Sequence, residues 1–561
     1  MFTIFGYKIT EKQVLIAILF LAALLRFWGL GSSEFYHDEG FTAFRSIGYL
    51  DYIQNDDQTA PIQWFKDAAV LPWWTHLSFH DHPPLFFLIQ NLFFKIFGNS
   101  LFVARLPSAI AGILSIYLVY LLSERVFINS LSKFFAPLLL SLSLIHIWIS
   151  RSSLFESVQI FFILLNIYYF FKLWGGSTSN GGRTSKDWWL FGMTLGLAFL
   201  TKYTSIFLVP VYLTYWTYKT YWTNRSDRTD WAYLFSAFGL AFLLFSPVLI
   251  YNFYLWQTVG HFDLQFAYVF NQPTPEWRAS LGKIQDPFSE IISNLTLMYS
   301  IPFLLAALTG IGWAAYRTYK SYRTNKTNEN YLIFWLLNFI FITLMLIKIG
   351  SAFRFIVLYA APAAMLIAYF FDYLYSKFHK EVLFKILLVT FLAYELFFAI
   401  DIFLTFPDFG IAALDHYFDV ELGQKRSLAI PASSNPHLDR LLKMNARRIP
   451  ASEKSTIIIY DENIALSPRL WVFTRRTYYS GFPSFTVTQF KNFLKDGASR
   501  FDGYDIYFAK ASRKTYLNPI FHSNAAEDLE LFLNQELRLS PVKTIYGYDN
   551  LLMFTVYKFK L

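Results

Sequence analysis

The sequence predicts an α-helical protein that crosses a membrane many times and ends in a mixed α/β domain. Of its 561 residues, 55% are hydrophobic and only 16% are charged, whereas soluble domains carry about 25% charged residues. Apolar stretches long enough to span a bilayer recur up to residue 405. Beyond that point the chain becomes more polar, and short strand-like runs alternate with polar helical ones.

About eleven stretches approach the roughly 20 mostly apolar residues that a membrane-spanning helix needs. They lie near residues 12–30, 103–122, 133–150, 155–174, 188–201, 204–221, 232–256, 294–316, 331–347, 355–371 and 382–404. The first contains Arg26 and no small-residue cleavage site follows it, which favours a retained helix over a signal peptide. Residues 82–98 are apolar but short and contain Lys95, which favours a helix lying at the outer interface.

The basic residues orient these spans. With the N-terminus inside, Lys and Arg concentrate in the cytoplasmic connections, as the positive-inside rule requires. The few at the outer turns are Arg151, Lys202, Lys348 and Arg354. This orientation puts outside residues 31–102, 257–293 and 406–561. The net charge of +9 therefore reflects membrane topology rather than a nucleic-acid partner.

We predict two domains, a membrane domain over residues 1–405 and an outer mixed α/β domain over residues 406–561. The strand-like runs are Thr456–Tyr460, Leu470–Thr474 and Leu551–Tyr557. Residues Ala525–Gln535 have the pattern of a polar helix. About 150 residues suffice for a separate hydrophobic core. The sequence has no Cys, which excludes disulfides, thiolate metal sites and a catalytic cysteine.

Ionisable residues at the outer helix ends are the most informative, because holding a charge in the membrane is costly. They are Asp38, Glu39, Asp81, His82, Arg151, Glu156, Lys202 and Arg354. Taken singly, each has another interpretation, such as a solvated loop pair, an Arg–Glu pair capping a turn, or a cation reaching toward headgroups. Gathered at one face, they favour an enzyme acting on a lipid-linked phosphate, since a transporter would keep such groups near the midplane.

Six sequence blocks occur in a fixed order over about residues 20–365. They are Leu25–Gly31 with Asp38-Glu39, His82–Leu85, Phe97-Gly98 with Arg105–Ala109, Ser150-Arg151 with Glu156, Gly196–Tyr203, and Arg354 before Tyr359 and Pro362. In content and order these blocks resemble those of bacterial family 39-type glycosyltransferases. That family is related to the protein O-mannosyltransferases and the lipid A aminoarabinose transferases, and it has the GT-C membrane fold. The tail carries no motif of this kind.

The resemblance implies transfer of a sugar, with inversion, from a polyprenyl-phosphate donor to a lipid, glycan or protein acceptor. The reaction would take place on the outer face of the bacterial cytoplasmic membrane. By analogy Asp38 is the candidate base, with Glu39 and Glu156 as the other catalytic carboxylates. The residues expected to bind the donor are Lys202, Arg354, Arg151, Asp81, His82 and Tyr203. Asp81-His82 stands where the aminoarabinose transferases have Glu-Lys.

This chemistry requires no cofactor. A divalent metal could use the oxygen and nitrogen atoms of Asp38, Glu39, Asp81, His82 and Glu156, although no spacing demands one. A flippase or transporter of lipid-linked sugars is an alternative, for which Glu395 and Asp401 are the carboxylates nearest mid-membrane. A non-catalytic scaffold with a partner-binding outer domain is another, and it would tolerate the loss of Asp38 and Lys202.

Overall fold

The computed structural model describes residues 2–4, 7–34, 37–48, 82–127, 131–175, 185–223, 228–270, 272, 286–324, 330–405, 407–422, 456–495, 501–512 and 523–560. A short hairpin pairs β1 (Phe2–Ile4) with β2 (Tyr7–Ile9). A long helical part follows, and the chain ends in a part built around a five-stranded sheet.

The helical part has these elements in chain order: α1 (Glu11–Phe27), α2 (His37–Gly48), α3 (Leu85–Phe97), α4 (Leu101–Val126), α5 (Ser132–Leu142), α6 (Leu144–Ser150), α7 (Phe155–Gly175), α8 (Ser185–Thr201), α9 (Leu208–Thr223), α10 (Arg228–Val259), α11 (Leu264–Val269), α12 (Pro287–Met298), α13 (Ile301–Thr324), α14 (Asn330–Ile349), α15 (Ala360–Phe378), α16 (Val382–Thr405) and α17 (Ile411–Leu422). Two 3₁₀ turns, Tyr203–Phe207 and Phe353–Tyr359, lead into α9 and α15. The helix expected over residues 82–98 is present as α3, and its location at the outer interface stays a prediction.

The chain is a multi-pass membrane protein. Every predicted span overlaps at least one helix. Among the described residues six helices are long and apolar enough to cross a bilayer, or seven with the bent pair α5–α6. Helices α1, α8 and α9 have 17, 17 and 16 residues, fewer than the roughly 20 that span a bilayer. The count of eleven spans therefore stays a prediction.

The span predicted over residues 133–150 is broken. Helices α5 and α6 meet at Ser143 with a bend of 61°. Helix α6 has only seven residues, and it is followed by the short turn 151–154 that leads to α7. After this turn, α7 begins beside the segments that follow α8 and α14, because Glu156 in its first turn contacts Lys202 and Arg354.

Close helix contacts depend on small residues in the membrane part. A Cβ atom added at Gly192 in α8 would lie 2.5 Å from the carbonyl oxygen of Ala237 in α10. The space at this crossing therefore admits only glycine. Larger side chains fill the interior elsewhere: the ring of Phe170 lies within 6 Å of those of Phe191, Tyr212 and Phe334.

The C-terminal part contains β3 (Thr456–Tyr460), α18 (Leu466–Arg469), a π-helix (Leu470–Thr474), α19 (Arg475–Ser480), β4 (Ser484–Thr486), α20 (Val487–Lys495), β5 (Asp505–Ala511), α21 (Ala525–Gln535), β6 (Lys543–Tyr546) and β7 (Leu552–Phe559). The strand order is β4-β3-β5-β7-β6. Strands β4, β3 and β5 are parallel, with Ile458 opposite Tyr507, and β7 runs antiparallel to β5 and β6.

The strands predicted over Thr456–Tyr460 and Leu551–Tyr557 and the helix over Ala525–Gln535 are confirmed. The strand predicted over Leu470–Thr474 is wrong, because these residues form the π-helix. A short, fully buried apolar run has no alternation that would distinguish strand from helix. The domain boundary at residue 406 stays a prediction.

Candidate functional site

Four of the predicted site residues converge at one end of the helical bundle. Asp38 lies in the first turn of α2, and Glu156 lies in the first turn of α7. Lys202 directly precedes one 3₁₀ turn, and Arg354 lies in the other. Each residue sits where a helical element begins or ends, so its side chain can reach a common point between helices.

Glu156 is the centre of the buried half of the site. Lys202 donates a hydrogen bond to Oε1 of Glu156, and Nε of Arg354 lies 3.2 Å from the same oxygen. Glu156 is 1% exposed and Lys202 is 5% exposed. The other carboxylate oxygen, Oε2, is buried and has no hydrogen-bond partner among the described residues. One oxygen of Glu156 thus contacts two cations while the second can accept a further hydrogen bond.

Asp38 forms the accessible half of the site. Its Oδ2 accepts a hydrogen bond from Nη1 of Arg354, so that Arg354 contacts both carboxylates. The side chain of Asp38 is 36% exposed and that of Arg354 is 20% exposed. The four charged groups therefore run from a buried pair to an accessible carboxylate, which is open to a partner arriving from water.

An aromatic ring supports both cations. The Phe355 ring centroid lies 4.0 Å from Nζ of Lys202 and 5.4 Å from Cζ of Arg354. The face of an aromatic ring attracts cations. Burial lowers the pKa of the Lys202 ammonium, and the negative charge of Glu156 opposes that shift.

Glu39 has a different environment from its neighbour Asp38. Its Oε2 accepts from Nη2 of Arg105 at 2.7 Å, and its Oε1 accepts from the amide of Ser153 at 2.9 Å. Arg105 also donates to the carbonyls of Leu30, Ser33 and Glu34, just before α2. Glu39 and Arg105 are both buried. These contacts of Glu39 hold the start of α2, and the catalytic role predicted for Glu39 from the sequence stays a prediction.

Arg151 is used to cap the first helix. Its Nη1 donates to the carbonyls of Leu25 at 3.1 Å and Trp28 at 2.7 Å, which are among the last carbonyls of α1 and lack helical partners. Glu156 pairs with Lys202 and Arg354 rather than forming the Arg–Glu cap that the sequence allowed. In the structure Arg151 thus binds backbone carbonyls at the end of α1. Its binding to the donor stays a prediction.

His82 lies against the start of α7. Its ring stacks on that of Phe155, with centroids 4.6 Å apart and planes 5° apart, and Phe155 is the residue before Glu156. Asp81 lies outside the described residues. The structure therefore brings His82 next to the cluster but does not test the predicted Asp81-His82 pair.

Tyr203 is hydrogen-bonded to Asp263, a residue that the sequence motifs did not single out. Its hydroxyl donates to Oδ2 of Asp263 at 2.7 Å, and the Asn252 amide donates to the same oxygen at 2.8 Å. Asp263 is fully buried and also caps α11. The sequence feature that could have identified Asp263 is its position in the outer segment 257–293, a few residues after the predicted span 232–256. Asp263 holds Tyr203, and with it the backbone that follows Lys202.

A small apolar cavity of about 20 Å³ lies close to the charged cluster, and Ile160, Phe207 and Val357 are among the residues that line it. Ile160 lies one turn beyond Glu156, and Val357 lies in the same 3₁₀ turn as Arg354. The charged groups at the bundle end are therefore backed by apolar side chains.

Within the described part of the chain, no three His, Asp or Glu side chains are grouped so that they could hold one metal ion.

Comparisons with known proteins agree with this architecture. Residues 81–251, which include Glu156 and Lys202, match the family model described as dolichyl-phosphate-mannose-protein mannosyltransferase. The putative mannosyltransferase YkcB of Bacillus subtilis is 27% identical over 139 residues, which are 24% of this chain and 18% of the relative. An uncharacterized protein of Aquifex aeolicus is 32% identical over 133 residues, which are 23% of this chain and 25% of the relative. The chain thus matches a quarter or less of the length of these relatives.

Two solved structures share the fold over most of the chain. The oligosaccharyltransferase of Archaeoglobus fulgidus has a TM-score of 0.54 at 13% identity, covering 90% of this chain and 70% of its own. ArnT of Cupriavidus metallidurans, solved bound to undecaprenyl phosphate, has a TM-score of 0.50 at 12% identity, covering 97% of both chains. The resemblance noted in the sequence is confirmed for the fold: the chain shares the GT-C fold of these two structures, and residues 81–251 match the mannosyltransferase family model.

Proposed function

We propose that the chain is an inverting glycosyltransferase that moves a sugar from a polyprenyl-phosphate donor to a lipid, glycan or protein acceptor. The active site would face the outer side of the bacterial cytoplasmic membrane. The observation that carries the proposal is the contact of Arg354 with both Glu156 and Asp38. Support also comes from the ArnT structure with undecaprenyl phosphate. A structure of AglB, the oligosaccharyltransferase of Archaeoglobus fulgidus, contains a dolichol-phosphate.

The cations would hold the donor phosphate. Lys202 and Arg354 lie at the bundle end with apolar side chains behind them, so the phosphate would stay at the cations while the lipid chain remains among helices. Fixed charges in a site shielded from water interact strongly with charge that develops in a transition state. Removing one such group typically costs about 10²–10³ in rate.

Asp38 would accept the proton of the acceptor nucleophile. In the structure its charge offsets that of Arg354. When Asp38 takes the proton it becomes neutral, and Arg354 is then free to pair with the negative charge growing on the departing phosphate. Proton transfer and leaving-group stabilisation are thus coupled through one guanidinium. General base catalysis of this kind contributes about 10²–10⁴ in rate.

Glu156 would contact the sugar. The bond to the phosphate breaks with oxocarbenium character at the anomeric carbon, as in glycoside hydrolysis. Oε1 of Glu156 contacts both cations, whereas the buried Oε2 has no donor among the described residues. A sugar hydroxyl would satisfy it, and the carboxylate charge would stabilise the positive charge developing on the ring.

The test is transfer of label from polyprenyl-phosphate-linked sugars in membranes, with wild type, Asp38→Asn and the matched control Asp401→Asn. We expect Asp38→Asn to abolish transfer while remaining folded, and Asp401→Asn to retain it. A well-folded Asp38→Asn variant with more than about half the wild-type rate would refute the role of Asp38, since loss of a general base typically costs 10²-fold or more. The labelled product would identify the acceptor class.

The flippase alternative predicts that several lipid-linked sugars give no transfer, while labelled lipid crosses the bilayer equally well with wild type and Asp38→Asn. The structure offers this alternative little support. Glu395, the buried carboxylate of α16, accepts a hydrogen bond from Ser300, whose hydroxyl also caps the start of α13. This contact gives Glu395 a structural role at a helix end.

A further inference from the structure

The C-terminal part of the chain shares a buried core with the helix that carries Asp38. Ala43 of α2 and Phe94 of α3 belong to the same apolar cluster as Trp471 and Val472 of the π-helix. The ring centroids of Phe94 and Trp471 are 6.5 Å apart. Ala43, Trp471 and Val472 are all fully buried. Apolar packing therefore continues without a break from the sheet-bearing part into the helical part.

A charge network fixes the π-helix from both sides. Asp415 of α17 accepts from the Trp471 indole at 2.8 Å and from Arg475 and Arg476 at 2.7 Å each. Arg475 also donates to the carbonyl of Asn99, between α3 and α4. Both arginines are almost fully buried, and their charges are compensated by Asp415 and Asp419. The π-helix is thereby held between α17 and the membrane helices.

A second link runs through Glu34, four residues before Asp38. The amide of Phe409 donates to Oε2 of Glu34 at 2.8 Å. Arg105 donates to the carbonyl of Glu34 at 2.8 Å and also binds Glu39. Asp38 therefore lies between two residues whose positions are fixed, one of them by Phe409 at the start of the predicted outer domain 406–561.

The connection between β6 and β7 also contacts the segment that contains Phe409. The amide of Tyr548 donates to the carbonyl of Asp408 at 2.8 Å, and a Cβ atom added at Gly547 would lie 2.1 Å from that carbonyl oxygen. Asp408 and Phe409 are thus packed tightly against the sheet. A hydrogen-bonded path leads from the sheet through Phe409 and Glu34 to the start of α2.

We propose that the C-terminal domain is a positioning element for Asp38, acting through the core shared with α2 and through the Phe409–Glu34 hydrogen bond. The inference rests on the proposed role of Asp38 as the base. Lys202 and Arg354 lie in segments that pack against other membrane helices. The domain therefore controls the geometry of proton transfer more than the binding of the donor.

The first test compares Glu34→Ala with Glu34→Gln in the full-length chain, measuring kcat and the donor KM for label transfer. Misplacing a reacting group by about 1 Å can cost 10²-fold, so we expect Glu34→Ala to lower kcat by about 10- to 100-fold. The donor KM should stay within about twofold, because a change confined to the transition state appears in kcat. Glu34→Gln keeps an acceptor oxygen and should restore most of the rate.

An unchanged kcat in Glu34→Ala, or an equal loss in Glu34→Gln, would overturn the role of the Glu34 link. A matched pair of valines tests the shared core. Val472 and Val487 are both fully buried in the C-terminal part, but only Val472 belongs to the cluster that contains Ala43. We expect Val472→Ala to lower kcat and Val487→Ala to leave it unchanged in the folded protein. Equal values of kcat would argue against the proposal.

Hydrogen exchange of the α2 amides provides a readout that needs no activity. We expect faster exchange over residues 39–48 in Glu34→Ala and Val472→Ala than in wild type, and no change in Val487→Ala. If the wild type transfers no sugar, the proposed function fails, while the exchange data still decide whether the domain positions α2. Unchanged exchange in all three variants would overturn the inference even in an active enzyme.

Discussion

Asp38 and Arg354 are 316 residues apart in the sequence and form an ion pair in the folded chain. The turn that carries Arg354 is held from one side by α12: Asn294 donates to the carbonyl of Ser351, and Glu290 accepts from the Ser351 amide at 3.2 Å. The start of α2 is held separately by Arg105. Each partner is thus fixed by its own support, so the pair does not have to organise either segment.

Replacement of Arg354 by Lys should impair transfer even though the charge is kept. A guanidinium can contact two carboxylates at once, whereas an ammonium on a flexible stem does not reproduce that planar geometry. We expect kcat/KM for the donor to fall about 10²-fold, the usual cost of losing one preorganised donor. Steady-state kinetics with labelled donor measures this. Arg125→Lys, remote from the cluster, is the control, and a loss of less than twofold in Arg354→Lys would contradict the assignment.

Removal of Glu156 should destabilise the protein strongly. Glu156 forms a buried ion pair with Lys202 and also contacts Arg354, and breaking a buried ion pair by removing one partner typically costs about 3–5 kcal/mol. Removing Lys202 as well takes away one unpaired charge. We therefore expect the loss in Glu156→Gln/Lys202→Met to be smaller than the sum of the two single losses. Thermal unfolding in detergent provides the comparison, and strict additivity would show that the groups do not interact.

The sequence predicted which charged residues gather, but not how they pair. Asp38, Glu156, Lys202 and Arg354 were singled out because each is an ionisable group at an apolar helix end. The pairing of Arg105 with Glu39 could not be predicted from the sequence, since a contact between residues 66 positions apart depends on how α2 and α4 pack. The sequence allowed an Arg151–Glu156 pair, but the structure gives Arg151 to α1 and Glu156 to Lys202.

The fold, like the site, was predictable from the sequence only in part. Apolar length located the helices because hydrocarbon thickness fixes that length, and the short apolar run that contains Lys95 was also correctly predicted to be helical. The run Leu470–Thr474 was misassigned, because full burial removes the polar positions that reveal a period. The shared core between α2 and the π-helix was unreadable, since it joins residues more than 400 positions apart.

Glu39 and Arg105 should behave as one unit. Arg105 binds Glu39 and three backbone carbonyls, which Lys cannot reproduce with a single ammonium. We expect Arg105→Lys and Glu39→Gln each to lower both thermal stability and kcat, and the double variant to be little worse than either one. If Glu39 acts as a catalytic group instead, Glu39→Gln will lose kcat with no loss of stability. Thermal unfolding and label transfer on the same samples separate these outcomes.

Chelation should leave transfer unchanged. Lys202 and Arg354 already supply, beside Glu156, the positive charge that a metal ion would bring to a phosphate. We expect activity with excess EDTA to stay within about twofold of the untreated enzyme, because the cations provide the transition-state stabilisation. Loss of activity that Mg²⁺ or Mn²⁺ restores would contradict this, and would direct attention to the carboxylates of the cluster together with Asp81 and His82.

Two glycines of α13 provide a matched test of helix packing. A Cβ atom added at Gly310 would lie 2.9 Å from the backbone carbonyl of Leu366 in α15, whereas one added at Gly312 meets nothing within 4 Å. Overpacking against backbone costs about 1–3 kcal/mol, while Gly→Ala in an open helical position gains up to about 1 kcal/mol. We therefore expect Gly310→Ala to lower the unfolding temperature and Gly312→Ala to raise it slightly. Equal shifts would show that α13 and α15 are not in close contact at Gly310, and that the Arg354 turn leading into α15 is not braced by this crossing.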